Sequence, residues 1–254
     1  MSNRYASHRW TILVALVASC LLLSAIQVYA DDDVTSRTGS FIVSASGGFS
    51  SPTGRFGETD TEADPPKSGH DHGLIGAVDV SYALTPAVSV GVGVRMTRFN
   101  IDFGPDLEAQ YPTNTAHTTV MLGELSAHLF LPDGFQHWRP YAVVAFGIGR
   151  PKGTIEYKSP FIVPLPDDQG SVSVQHFEST VDLAASVSGG IGVEIPLTPK
   201  LGFMIEPRYT VISTKGTSRT DTYKTTEGES IEAKDTAKSN TNWWEVRGGV
   251  TLTL

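Results

Sequence analysis

Between Ala87 and Phe99 the chain sets Val88, Val90, Val92, Val94 and Met96 at every second position, with Ser89, Gly91, Gly93, Arg95 and Thr97 between them. Successive side chains of a β-strand point to opposite faces, so this period specifies a strand with one apolar and one polar side. The pattern returns from Val181 to Leu197. There Leu183, Ala185, Val187, Ile191, Val193 and Ile195 share one face, while Asp182, Ser186, Ser188, Gly190, Gly192 and Glu194 share the other. Eight such segments are expected, near 38–49, 73–84, 87–99, 117–131, 139–150, 181–197, 200–213 and 242–254. No convincing 3.6-residue apolar period occurs after residue 37.

The connections alternate in length. Short ones fall at Thr85-Pro86, Pro132 to Trp138 and Thr198-Pro199, and long polar ones near 50–72, 100–116, 151–180 and 214–241. Leu-Thr-Pro occurs twice, ending at Pro86 and Pro199, where proline presets the φ angle of a tight turn. An even number of alternating segments, with short turns at one end and long loops at the other, predicts an all-β, eight-stranded antiparallel up-and-down barrel that crosses a bacterial outer membrane. A soluble β-sandwich would also alternate, but its water face should be rich in Lys, Glu and Thr. Here the polar face is mostly Gly, Ser and Ala with isolated charges, as a narrow lumen requires. Strands in hydrocarbon must also pair every backbone group, which favours closure.

The N-terminus carries Arg4, His8 and Arg9, then an apolar run from Trp10 to Ile26, then Val28-Tyr29-Ala30 before Asp31-Asp32-Asp33. This is the three-part pattern of a secretory signal peptide cut after Ala30, dividing the chain into residues 1–30 and a barrel domain at 31–254. Retention as an anchor is the alternative. Val17-Ala18-Ser19-Cys20 also resembles a lipoprotein cleavage site, although the apolar Leu21 to Ile26 would then follow the lipidated residue. Loss of residues 1–30 removes Arg4, Arg9 and the single cysteine, leaving 17 basic against 27 acidic residues, a net charge of −10. The acidic charge argues against a nucleic-acid partner, and a chain without cysteine must hold itself without disulfides.

Parity directs Asp79, Arg95, Glu124, His128, Asp182, Glu194, Glu206, Arg208, Glu245 and Arg247 into the lumen. Buried charges must be paired, so a polar plug around the arginines is the expectation. The functional alternative is a thin water path, which six carboxylates against three lumen arginines would bias toward cations. Glu124, Ser126 and His128 carry the names of a hydrolase triad. Positions two apart on a strand are separated by about 6.6 Å, which opposes direct Ser to His bonding, and no catalytic residue is assigned. Glu58, Asp60, Glu62 and Asp64, followed by His70-Asp71-His72, read as a solvated acidic loop, with weak divalent-ion contact as the alternative: the EF-hand glycine spacing is absent, and no third ligand is fixed beside two histidines that could hold zinc. No metal or other cofactor is expected. Tyr82, Trp138, Tyr141, Tyr209 and Trp244 are placed at interfacial aromatic girdles. Alternating pieces at Gly153 to Tyr157, Ser171 to Phe177 and Thr220 to Lys224 suggest a β-rich ledge beyond the membrane.

The phrases SYALTPAVSVGVGV (Ser81 to Val94), WRPYAVVAFGIG (Trp138 to Gly149) and SGGIGVEIPLTPKLGFMIEPRY (Ser188 to Tyr209) resemble the small OmpA/OmpX-like outer-membrane barrels and opacity-type surface antigens. The ending from Arg247 to Leu254, with Gly249, Leu252 and Leu254, is similar to the signal by which such barrels are recognised for assembly, and departs from the usual one in ending on Leu254 instead of Phe. The resemblance implies a monomer in the outer membrane of a Gram-negative bacterium with both termini periplasmic. It implies contact with outer-membrane lipid, lipopolysaccharide and the barrel assembly machinery, and an extracellular ligand or host surface as partner. It points to a structural or surface-interaction role, with a narrow channel as first alternative and a lipid-modifying hydrolase as second.

Overall fold

The computed structural model describes residues 37–57, 69–103, 113–131, 138–164, 171–237 and 240–254. The expected cleavage site at Ala30 and the acidic run from Glu58 to Asp64 lie outside them.

Each of the eight alternating segments forms a strand, and the chain continues pairing well into the long connections. The strands are β1 (Phe41–Pro52), β2 (Gly69–Ala83), β3 (Val88–Asp102), β4 (Thr113–Phe130), β5 (Arg139–Pro164), β6 (Ser171–Val181), β7 (Ala184–Pro196), β8 (Leu201–Ile212), β9 (Ser218–Thr225), β10 (Ser230–Thr236) and β11 (Thr241–Thr253). Antiparallel pairing runs β1–β2–β3–β4–β5–β7–β8–β11 and back to β1, so eight strands form a hydrogen-bonded ring. The β2–β3 and β7–β8 turns are closed by the Leu84 and Leu197 amides donating to the carbonyls of Val88 and Leu201.

Among the described residues three further strands, β6, β9 and β10, add to the eight of the ring, because parts of 151–180 and 214–241 fold as more sheet. The first half of β5 pairs with β7 through Arg139–Gly149, and its second half pairs with β6 from Lys152 onward. β6 pairs with β9, and β9 with β10, so a sheet of β5, β6, β9 and β10 rises beyond the ring.

The two faces of the ring differ as the alternation requires. Val92, Val94 and Met96 are exposed on β3 while Arg95 and Thr97 are buried; Met121 and Leu125 are exposed on β4 while Leu122 and Glu124 are buried. Burying one such apolar side chain is worth about 1.5–3 kcal/mol, so a continuous outward band of them is unsustainable in water and suits hydrocarbon. Among the described residues no helix is long and apolar enough to cross a membrane. The band is made by strands.

Candidate functional site: the ring interior

Three arginines and four carboxylates alternate across the interior. Arg95 donates to Glu245 and, at 2.6 Å, to Glu124; Arg208 donates to Glu124 at 3.3 Å and through Nε to Glu206 at 2.8 Å. Arg247 donates from Nε to Glu206 at 2.9 Å and from Nη1 to Asp79 at 3.3 Å. Ser188 adds a donor to Glu124, Ser44 one to Asp79 and Trp243 Nε1 one to Glu245. Each carboxylate therefore faces at least one guanidinium, which is what buried charge needs to be tolerated.

One expected member is placed differently, and one lies inside as expected but apart from the three arginines. Asp182 is exposed, because the chain leaves strand geometry between β6 and β7 and parity does not carry across that break. Glu194 is buried but at the end of the ring that holds the short turns, where Arg37 donates to it at 2.6 Å and Thr251 at 2.7 Å. The central carboxylate excess is thus one, not three, which leaves little bias toward cations in the interior. Arg37 escaped the sequence reading because it precedes the first alternating segment.

Tyr141 does not sit in an outer girdle. It is buried in the interior, where its hydroxyl donates to Glu206 at 2.9 Å and its ring meets Phe130 at 5.2 Å and His128 at 5.4 Å. The side chain is accommodated by Gly192, where a Cβ would overlap the Tyr141 ring. Tyr82, Trp138 and Trp244 are outward and exposed, and Tyr209 is half-buried with its ring 4.8 Å from Trp244. Gly249 packs where a Cβ would meet the Ala45 carbonyl, and Leu252 and Leu254 face outward.

Glu124, Ser126 and His128 do share the inner face, but Glu124 is held by Arg95 and Arg208. Ser126 Oγ has no hydrogen-bond partner among the described residues and so is not joined to His128. The arrangement supplies no activated nucleophile.

Toward the long-loop end an apolar cap fills the interior. Phe56, Phe99, Val120, Leu122, Ala184, Ile212 and Trp243 form one buried cluster, with Phe99 edge-on to Phe56 at 5.3 Å and to Trp243 at 5.6 Å. A single 3-10 turn at Gly54–Phe56 brings Phe56 inward. Phe99 and Trp243 were legible by parity, since they follow Arg95 and precede Glu245 on the inner face.

His70 latches this turn from above the apolar band, four residues beyond Leu74, the last exposed apolar residue of β2. Its Nδ1 donates to the Phe56 carbonyl at 2.9 Å, its Nε2 accepts from Thr118 Oγ1 at 2.7 Å, and its ring stacks on Phe56 at 4.1 Å. Burial pushes its pKa down to about 4. A histidine held neutral in this way stabilises the fold above its unfolded value of about 6.5, and the contribution is lost as pH falls from there through about 4. Urea unfolding should therefore report a loss of about 2 kcal/mol across that window, after discounting for partial exposure, and the slope should flatten in His70→Phe.

The ring, its outward apolar band and its charge-filled interior define a membrane-spanning β-protein of the bacterial outer membrane. Residues 16–232 match the model of the outer membrane protein beta-barrel domain, and the chain belongs to that family. No curated protein sequence matches it. Among solved structures it is similar to a major outer membrane protein from Thermus thermophilus, with TM-score 0.57 and 11% identity over 85% of this chain and 99% of that one. It is also similar to the outer membrane protein OprG from Pseudomonas aeruginosa, with TM-score 0.51 and 12% identity over 88% and 99%. Neisserial surface protein A matches at TM-score 0.48 and 14% identity over 84% and 96%. At these identities the likeness is one of fold.

Proposed function

We propose that the chain closes as an eight-stranded barrel with both termini periplasmic, that its own side chains seal the lumen, and that it acts at the cell surface through the sheet of β5, β6, β9 and β10. The observation that carries this reading is the pairing of charge network and apolar cap. Arg95, Arg208, Arg247, Glu206, Glu245, Phe99 and Trp243 are all buried at 2% exposure or less. A conducting path would have to break several ion pairs or displace the aromatic cap. The outward positions of Tyr82, Trp138, Tyr209 and Trp244 suit interfacial anchoring, and Gly249, Leu252 and Leu254 suit recognition by the assembly machinery. Placing the long connections outside is favoured by the short turns at the opposite end, which is the usual asymmetry of such barrels.

The raised sheet supports the surface role. Among the described residues its outer strand β10 pairs on one side only, and Glu232, Lys234 and Asp235 provide charges of the kind that protect an edge from indiscriminate pairing. Recognition would then be expected on the sheet's faces and loops, with an extracellular ligand or host surface as partner. Planar-bilayer recording tests the sealed lumen against the channel alternative, using protein whose folding is checked by a shift in gel migration on boiling. Insertion without unitary conductance above background is expected. Reproducible single-channel steps from the folded band would overturn the sealed lumen.

A further inference from the structure

The outer face of β3, β4 and β5 changes character in one step at the long-loop side of the apolar band. On β3 the exposed series Val92, Val94, Met96 is followed by Arg98; on β5 Phe146 and Ile148 are followed by exposed Arg150 and Lys152; on β4 Met121 is followed by Thr119. The register puts Arg98, Thr119 and Lys152 in one cross-strand row, and Met96, Met121 and Arg150 in the row nearer the band. With strands about 4.8 Å apart and same-face neighbours about 6.7 Å apart, the three cationic positions lie roughly 7–12 Å from one another around Thr119. Long side chains starting there reach a common point.

The charges in this group are not fully committed. Arg98 lies 3.2 Å from His117 Nδ1. Burial and then Arg98 hold the His117 pKa below its ordinary value against an opposing pull from Glu156, so the neutral imidazole accepts from Arg98 without removing its charge. Lys152 meets Glu178 at 2.9 Å in a solvent-facing pair, an interaction of little strength, and no ion-pair partner of Arg150 is found among the described residues. The full chain carries a net charge of −8, so this convergence of cations runs against its background. Cations bordering hydrocarbon meet the headgroup layer, and phosphate is the headgroup chemistry for which arginine's fork is suited.

We propose that Arg98, Arg150 and Lys152, with the Thr119 hydroxyl between them, bind the phosphate of an anionic outer-leaflet lipid whose acyl chains lie along Met96, Met121 and Ile148. This rests on the orientation proposed above. The test titrates the refolded full chain in neutral detergent with bis-phosphorylated lipid A, dephosphorylated lipid A and inorganic phosphate, reading adducts by native mass spectrometry. The variant R98Q/R150Q/K152Q should bind phosphorylated lipid A at least tenfold more weakly, and the wild type should lose a similar factor with the dephosphorylated lipid. Glu178→Gln, which frees Lys152, should tighten binding two- to threefold. Binding by the folded triple variant within twofold of wild type, or equal binding of the dephosphorylated lipid, would overturn the site. Displacement of lipid A by millimolar inorganic phosphate would instead assign it to free phosphate and overturn the lipid assignment. Micelle binding does not depend on which end faces outward, whereas protease cleavage of the raised sheet on intact cells does, so the two proposals fail separately.

Discussion

Glu206→Leu should lower the unfolding free energy by about 3–5 kcal/mol, because removing one partner of a buried ionic network leaves the others uncompensated. Glu206 is fully buried and accepts from Arg208, Arg247 and Tyr141 at 2.8, 2.9 and 2.9 Å. Without it, the hydrogen bonds left to Arg208 and Arg247 among the described residues are those at 3.3–3.4 Å, to Glu124, Ser188 and Asp79. The measurement is urea unfolding of the refolded protein, followed by tryptophan fluorescence. Glu206→Gln, which keeps an acceptor and the side-chain shape, should cost less than the leucine. Glu206→Leu combined with Arg247→Leu should recover part of the loss, since one of the two stranded cations is then gone. A cost below about 1 kcal/mol for Glu206→Leu would mean that water replaces the carboxylate, and hence that the interior is wet enough to reopen the channel reading.

How far the fold could be read from sequence depended on how cleanly polar and apolar residues segregate along each strand. On β3 and β11 the interior and exterior sets differ at nearly every position, and parity placed Arg95, Glu245 and Arg247 on the face where they are found. Along Tyr141 to Phe146 both faces are apolar, so alternation carried no information and Tyr141 was placed on the wrong side. Its hydroxyl is the only polar handle in that stretch, and a partner such as Glu206 on β8 is invisible from β5 alone. Asp182 shows the complementary limit: parity holds only while the chain stays in one strand. The local signal for β6 and β9 was present in Ser171 to Phe177 and Thr220 to Lys224. Their mutual pairing depends on β7 and β8 being neighbours below them, which is a property of the ring and not of either segment. The proposed lipid site was hidden for a similar reason, since Arg98, Thr119 and Lys152 become neighbours only through the register of three strands.

Trp243→Ala should separate the two parts of the seal. Trp243 is fully buried at the junction between them: its ring meets Phe99 at 5.6 Å, Arg95 lies over it at 5.9 Å, and its Nε1 donates to Glu245 at 2.8 Å. Truncating a buried tryptophan costs about 3–5 kcal/mol, from lost apolar burial and from the cavity left behind. The cavity would open directly beside the Arg95 and Glu245 pair. A water-filled cavity would screen that pair and free the arginine to change rotamer. If the apolar cap is what keeps the charge network dry, Trp243→Ala should show both the stability loss and discrete single-channel steps in planar bilayers, while Trp243→Phe should restore most of the stability and the silence. Loss of stability with no conductance would place the seal in the ion pairs alone, and Glu206→Leu would then be the variant that conducts.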